Sequence, residues 1–247
     1  MNFIKILLIL LIVFNIDLLA QFTANYRLSG GIITTQIIGD NPAKLPIIDT
    51  SPVDDAITGG SFPDAQPGMQ IHFLFPIDEN AEFRVPFSFD YSFFRGKERV
   101  NYNRNIIDYY SHTLNVLGIN TGFHWAFLPV RFARANVYAG LEARMSYIHN
   151  IDIEWFRDFQ NNNVFEDETY KTPPKDDAMR IGGIFKLGVE GRLRDNFYIN
   201  AGGALGILNI IGKQDSRGEL FTPITMFETI ESNVYTLQVY ILIQYNL

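Results

Sequence analysis

From Tyr235 to Leu247 the side chains alternate with a period of two, as an extended strand with two unlike faces requires. The odd positions, Tyr235, Leu237, Val239, Ile241, Ile243, Tyr245 and Leu247, are all apolar or aromatic. The even ones, Thr236, Gln238, Tyr240, Leu242, Gln244 and Asn246, are mostly amide or hydroxyl. The repeat returns in 82–93, where Phe83, Val85, Phe87, Phe89, Tyr91 and Phe93 oppose Glu82, Arg84, Ser88, Asp90 and Ser92. In 135–147, Val137, Leu141, Met145 and Tyr147 oppose Asn136, Tyr138, Glu142, Arg144 and Ser146; in 179–193, Ile181, Phe185, Leu187, Val189 and Leu193 oppose Arg180, Lys186, Glu190 and Arg192. Weaker strands are expected over 26–34, 69–75 and 197–207. Residues 112–125 are ambiguous, because Leu114 and Val116 fall on the opposite face from Leu117, Ile119, Phe123 and Trp125, a pattern that a β-bulge would reconcile.

A soluble sandwich alternates too, but three features point to strands that cross a membrane. Aromatics gather at strand ends, where a bilayer has its interfaces. The polar face mixes both charge signs with glycines (Gly140, Gly182, Gly188, Gly202, Gly206), leaving room for long side chains in a narrow interior. The connections alternate in length: short links at 76–81, 127–134 and 194–196, long ones at about 36–66, 94–111, 148–178 and 209–231. That is the arrangement of an outer-membrane barrel with short periplasmic turns and long external loops. The expected fold is therefore all-β: a closed antiparallel up-and-down transmembrane barrel of about eight strands with four long external loops. Ten strands would result if those loops concealed another hairpin.

The N-terminus reads as an export signal over 1–20, with Lys5 before the apolar run Ile6 to Phe14 and cleavage after Ala20. Residues 21–247 then form one barrel domain. After residue 20 no stretch reaches the ~18 apolar residues of a membrane-crossing helix. A formal charge of −7 argues against nucleic acid as a partner. The absence of cysteine excludes disulfides, thiolate metal sites, a cysteine nucleophile and a lipidated N-terminal cysteine.

On these features the chain resembles the small eight-stranded outer-membrane barrels of the OmpA/OmpX type and the "porin family" barrels of Bacteroidetes-type Gram-negative bacteria. The resemblance covers the whole chain after the signal and rests on architecture. In that family the last strand ends in an aromatic read by the barrel-assembly machinery; here the last residue is Leu247. The resemblance implies contacts with outer-membrane lipid and with that machinery during biogenesis, and a protein partner at the external loops.

The expected functional constellation is the interior: Arg27, Glu82, Arg84, Asp90, Glu142, Arg144, Arg180, Lys186, Glu190 and Arg192. Charges of both signs in one narrow lumen must pair, because an unpaired charge away from water is very costly. Eight strands leave an interior that side chains fill. The expectation is a salt-bridged, largely closed lumen with a structural or surface-interaction role, and no cofactor or metal. The lipid-facing set is Phe83, Phe87, Phe89, Leu141, Phe185, Leu187, Tyr235, Leu237, Val239, Ile241, Ile243 and Tyr245. Two alternatives stay open: an accessory barrel of a secretion machine, as in PorT-like proteins, and a lipid A-modifying enzyme. For the enzyme the candidate pairs are Ser146 with His149 near Asp152, and Ser111 with His112; no catalysis is expected, since neither pair forms a recognisable motif. Glu166, Asp167 and Glu168 are adjacent and read as a solvated loop, and the run Gly202 to Gly206 as a small-residue strand face.

Overall fold

The computed structural model describes residues 26–47, 59–160, 166–171, 173, 175–223 and 231–247; the expected signal segment lies outside them. The chain runs through β1 (Arg27–Ile38), β2 (Gln66–Pro76), β3 (Phe83–Asn103), β4 (Ile106–Val130), β5 (Ala135–Phe159), β6 (Glu168–Lys171), β7 (Ala178–Arg194), β8 (Phe197–Ile211) and β9 (Tyr235–Asn246). Every pairing is antiparallel. The order β4-β3-β2-β1-β9-β8-β7-β5, together with the β4–β5 pairing, closes a ring of eight strands. Closure leaves no open edge in the ring, so its backbone donors and acceptors are satisfied by neighbours. The short β6 pairs only with the far end of β5 (Glu154↔Lys171 to Arg157↔Glu168) and stays outside the ring. The third loop thus hides a hairpin, and the count of eight is unchanged.

The ring has two unlike ends. Tight links at 77–82, 131–134 and 195–196 lie at one end, where Leu247 N donates to Tyr26 O at 2.8 Å and ties the last residue to the start of β1. In the first link the Asp78 carboxylate accepts from the backbone amides of Phe83 (2.7 Å) and Glu82 (3.1 Å). The long connections lie at the other end.

Two of the expected long loops are corrected. Residues 94–111 and 148–159 continue as strand: β3 and β4 stay paired to Asn101↔Ile107, turning only at Arg104–Asn105, and β5 follows to Phe159. At ~3.3 Å per residue, the 25 residues of β4 and of β5 far exceed the ~9–11 residues a bilayer requires. The alternation never stops at residue 93; only the chemistry of its outward positions changes, from Phe93 to Arg95, Lys97 and Arg99.

A bulge does interrupt the pairing of 112–125 with β5, but β4 itself carries no extra residue there. The extra residue sits on β5, where Thr113↔Asp152 is followed by Asn115↔His149 and Asn150 takes a left-handed φ of 53°. Leu114 and Val116 point inward because the outer half of the lumen is apolar. Loop residues Phe62, Leu220 and Phe221 descend into it and pack with Phe94, Leu114, Val116, Ile148, Leu208 and Val234.

Candidate functional site

Below that apolar plug the lumen is ionic. At the short-turn end, Glu190 on β7 receives two guanidiniums: Arg84 Nη1 at 2.7 Å and Arg27, whose group also lies 4.3 Å from the ring centre of Tyr198. One layer further in, Glu142 on β5 pairs with Lys186 (2.8 Å) and accepts from His124 Nε2 (2.6 Å). Tyr138 and Tyr240 share a hydrogen bond at 2.8 Å beside it, and Tyr138 donates to Asn200 at 2.9 Å. Further out on the same wall, Asp90 of β3 takes Arg144 Nη2 at 2.6 Å and Asn120 Nδ2 at 2.7 Å, while Arg144 Nε donates to Ser146 Oγ at 2.9 Å. All these side chains are buried except Tyr198, which is half-buried.

A further ion pair, nearer the long-loop end, uses a loop residue. Arg180 on β7 embraces Glu231 with Nε at 2.9 Å to Oε1 and Nη2 at 2.6 Å to Oε2, and Asn209 Nδ2 donates to the same carboxylate at 2.7 Å. Above it Lys175 donates to Glu219 O and Thr222 Oγ1, each at 2.7 Å. Burial, with the nearby Arg217 guanidinium, pushes the Lys175 ammonium down to about 8. The cap is therefore stitched to the barrel by charge as well as by aromatic packing (Phe94 against Phe221, centroids 5.1 Å apart).

Glycine supplies the clearance. A Cβ on Gly140 would stand 2.2 Å from His124 Cδ2, and one on Gly118 would stand 2.6 Å from Asp90 Oδ2 and 2.7 Å from Arg144 Nη2. The large groups reach each other because the strand beneath carries no side chain there.

Eight of the ten expected lumen residues are inside: Arg27, Arg84, Asp90, Glu142, Arg144, Arg180, Lys186 and Glu190. Glu82 and Arg192 are corrected. Both are exposed. Glu82 belongs to the turn before β3, and Arg192, near the end of β7, donates its Nε to Asp195 O at 2.8 Å. Alternation assigns a face correctly only while the strand is still enclosed by the ring. With those two removed the set holds five cations and three carboxylates, so a further acid was implied. It is Glu231, in a stretch that reads as external loop; the excess of positive charge was the signal for it.

Outside, every strand of the ring presents a bare apolar side chain: Ile32, Met69, Phe89, Phe123, Leu141, Phe185, Leu205 and Ile241 are between 38 and 68 % exposed. Phe83, Leu187, Tyr235, Leu237, Val239, Ile243 and Tyr245 are exposed as well, and Phe87 is half-exposed.

The candidate enzyme pairs do not assemble. Ser146 is fully enclosed and bonded to Arg144, whereas His149 stacks on Tyr147 (5.1 Å) on the outer wall. Ser111 is half-exposed, while His112 is buried with Nδ1 2.8 Å from Gly60 O. Among the described residues no three acidic or imidazole groups converge as metal ligands.

The closed ring of eight up-and-down strands agrees with the architecture of the small OmpA/OmpX-type barrels. No protein-family model matches the chain, and no curated protein sequence matches it. Solved structures similar to it include Neisserial surface protein A (9% identity, 91% of this chain and 98% of that one, TM-score 0.44). Others are Ail, the attachment invasion locus protein of Yersinia pestis (9% identity, 92% and 100%, TM-score 0.40), and the toluene transporter TbuX of Ralstonia pickettii (9% identity, 91% and 90%, TM-score 0.22). At such identities and scores the likeness adds nothing to what the strand pairing already shows.

Proposed function

We propose that this chain is an integral outer-membrane β-barrel, closed to solutes, with a structural or surface-interaction role. The observation that carries the reading is the unbroken belt of apolar side chains on all eight ring strands around an ion-paired interior. A contiguous exposed apolar surface of this kind is tolerated in water only when a partner covers it, and a belt that encircles the molecule fits hydrocarbon. Charged groups inside and apolar groups outside reverse the usual order of a soluble protein.

Two further features support closure. The ionic layers fill the lower lumen, and Phe62, Leu220 and Phe221 fill the upper. The ring then anchors a sheet of β3, β4, β5 and β6 that rises beyond the bilayer and offers itself, with the loops, to a partner outside the cell. No catalytic role is assigned, since Ser146 and His149 lie on opposite sides of the wall. In biogenesis the chain would meet the barrel-assembly machinery through β9.

The test is single-channel recording in planar bilayers alongside gel mobility with and without boiling. The reading expects a folded, faster-migrating unboiled form that passes no steady current. Sustained open-channel currents would overturn closure, and a mobility insensitive to boiling, with no bilayer insertion, would overturn the membrane assignment.

A further inference from the structure

The outward positions of β3 read, in order, Phe87, Phe89, Tyr91, Phe93, Arg95, Lys97 and Arg99, so an apolar and aromatic stripe passes without interruption into a basic one. All three cations are exposed, and among the described residues none of them meets a carboxylate; Arg99 lies 5.9 Å from the ring centre of Tyr109. Acids do stand on the same outer face: Asp177, just before β7, accepts from the Tyr147 hydroxyl, and two more lie on β5, two strands from the stripe. Asp152 shares a row with Arg95 through Thr113, and Glu154 is already held by Lys171 at 2.6 Å.

Below this stripe the same wall carries a shallow apolar groove lined by Leu117, Ile119, Met145, Tyr147 and Met179. The register ties the two features together. Tyr91, Leu117, Tyr147 and Met179 form one row across β3, β4, β5 and β7, and Arg95 lies four residues above it, ~13 Å along the strand. Between them lies an aromatic layer in which His149 packs on Tyr91 (5.7 Å) and on Tyr147 (5.1 Å). From below upward, the wall offers a slot for an acyl chain, a ring layer suited to an interface, and three exposed cations.

We propose that the outer wall of β3–β5 at the long-loop end holds a phosphate-bearing glycolipid of the outer leaflet, one acyl chain in the groove and its phosphates on Arg95, Lys97 and Arg99. The inference rests on the membrane reading above. The lipid source is favoured over a soluble polyanion because the basic stripe continues the apolar outward face of β3 and stands beside a groove whose lining is almost wholly apolar.

The barrel is refolded into nanodiscs of phosphatidylcholine with or without lipid A, then exchanged into zwitterionic detergent, and retained lipid is weighed by native mass spectrometry. The intact chain is expected to keep lipid A. The combined change Arg95→Gln, Lys97→Gln and Arg99→Gln should lower retention at least about tenfold, given the attraction each cation adds near an anionic surface. Filling the groove with Met145→Trp should also lower it. Equal retention by all three forms would overturn the proposal. So would displacement of the lipid by inorganic phosphate or by a soluble phosphorylated sugar, which would point to the headgroup alone. A barrel that enters neither type of nanodisc would overturn the membrane reading itself.

Discussion

Glu190 is the residue whose surroundings make the sharpest demand, because two guanidiniums share its one carboxylate in the narrow end of the lumen. Glu190→Gln leaves Arg27 and Arg84 without a counter-charge, and removing one partner of a buried pair costs about 3–5 kcal/mol. The urea unfolding midpoint of the refolded barrel should fall accordingly; an unchanged midpoint would show that water reaches both arginines. Gly140→Val drives a branched side chain into His124, which is itself bonded to Glu142, and such overpacking costs about 1–3 kcal/mol. Gly191→Val is the control, since a Cβ there meets only ordinary contacts at 3.7 and 3.8 Å, so it should lose less. Lys175 gives a pH signature. Its ammonium titrates near 8 in the folded cap against 10.5 as its ordinary value, so between those values the unfolded chain binds the proton more tightly and stability rises with pH. The stability of the intact protein minus that of Lys175→Met should therefore increase from pH 8 to pH 10.5, and a flat or falling difference would contradict it. At this scale the sequence shows its limits clearly. Arg84, Glu142 and Lys186 are legible because alternation assigns their face. Glu231 is not, because nothing local says that a loop turns back inward to meet Arg180.

Among elements, β3, β4 and β5 depart most from expectation, and the reason is chemical. A strand that leaves the bilayer keeps its period of two while its outward residues change from Phe to Arg and Lys, so a polar stretch such as 94–103 reads as loop although Gly96, Glu98 and Val100 still alternate with the cations. β9, by contrast, lies wholly within the ring and is legible from end to end: its burial alternates strictly from Tyr235 to Tyr245. The segments around Phe62 and Phe221 were legible only as long connections. Their aromatic residues find a core because Leu114 and Val116 open an apolar chamber inside the barrel, and that pairing spans distant parts of the chain. Phe62→Ala should destabilise the cap by about 3–5 kcal/mol, as for other buried Phe truncations. Limited proteolysis should then cut within the first long connection, while the unboiled barrel keeps its faster gel mobility. Loss of both together would mean that the plug is needed to close the ring.

For the whole molecule, closure and polarity are one statement. The ring leaves no edge, the inner wall pairs its charges, and the outer wall exposes hydrocarbon on each of its eight strands. In a bilayer the belt loses nothing by being bare, and the lumen need not open to water for its charges to be satisfied. The chain contains no cysteine, so a single introduced one carries a nitroxide at a chosen site without competition. Labels at Phe87, Leu237 and Ile241, compared with one at Asp152 on the protruding sheet, measure directly which solvent each face meets. The account predicts relaxation by oxygen and not by a water-soluble nickel chelate at the first three positions, and the reverse at Asp152. Chelate access at Phe87, Leu237 and Ile241 in the folded, bilayer-reconstituted protein would contradict it.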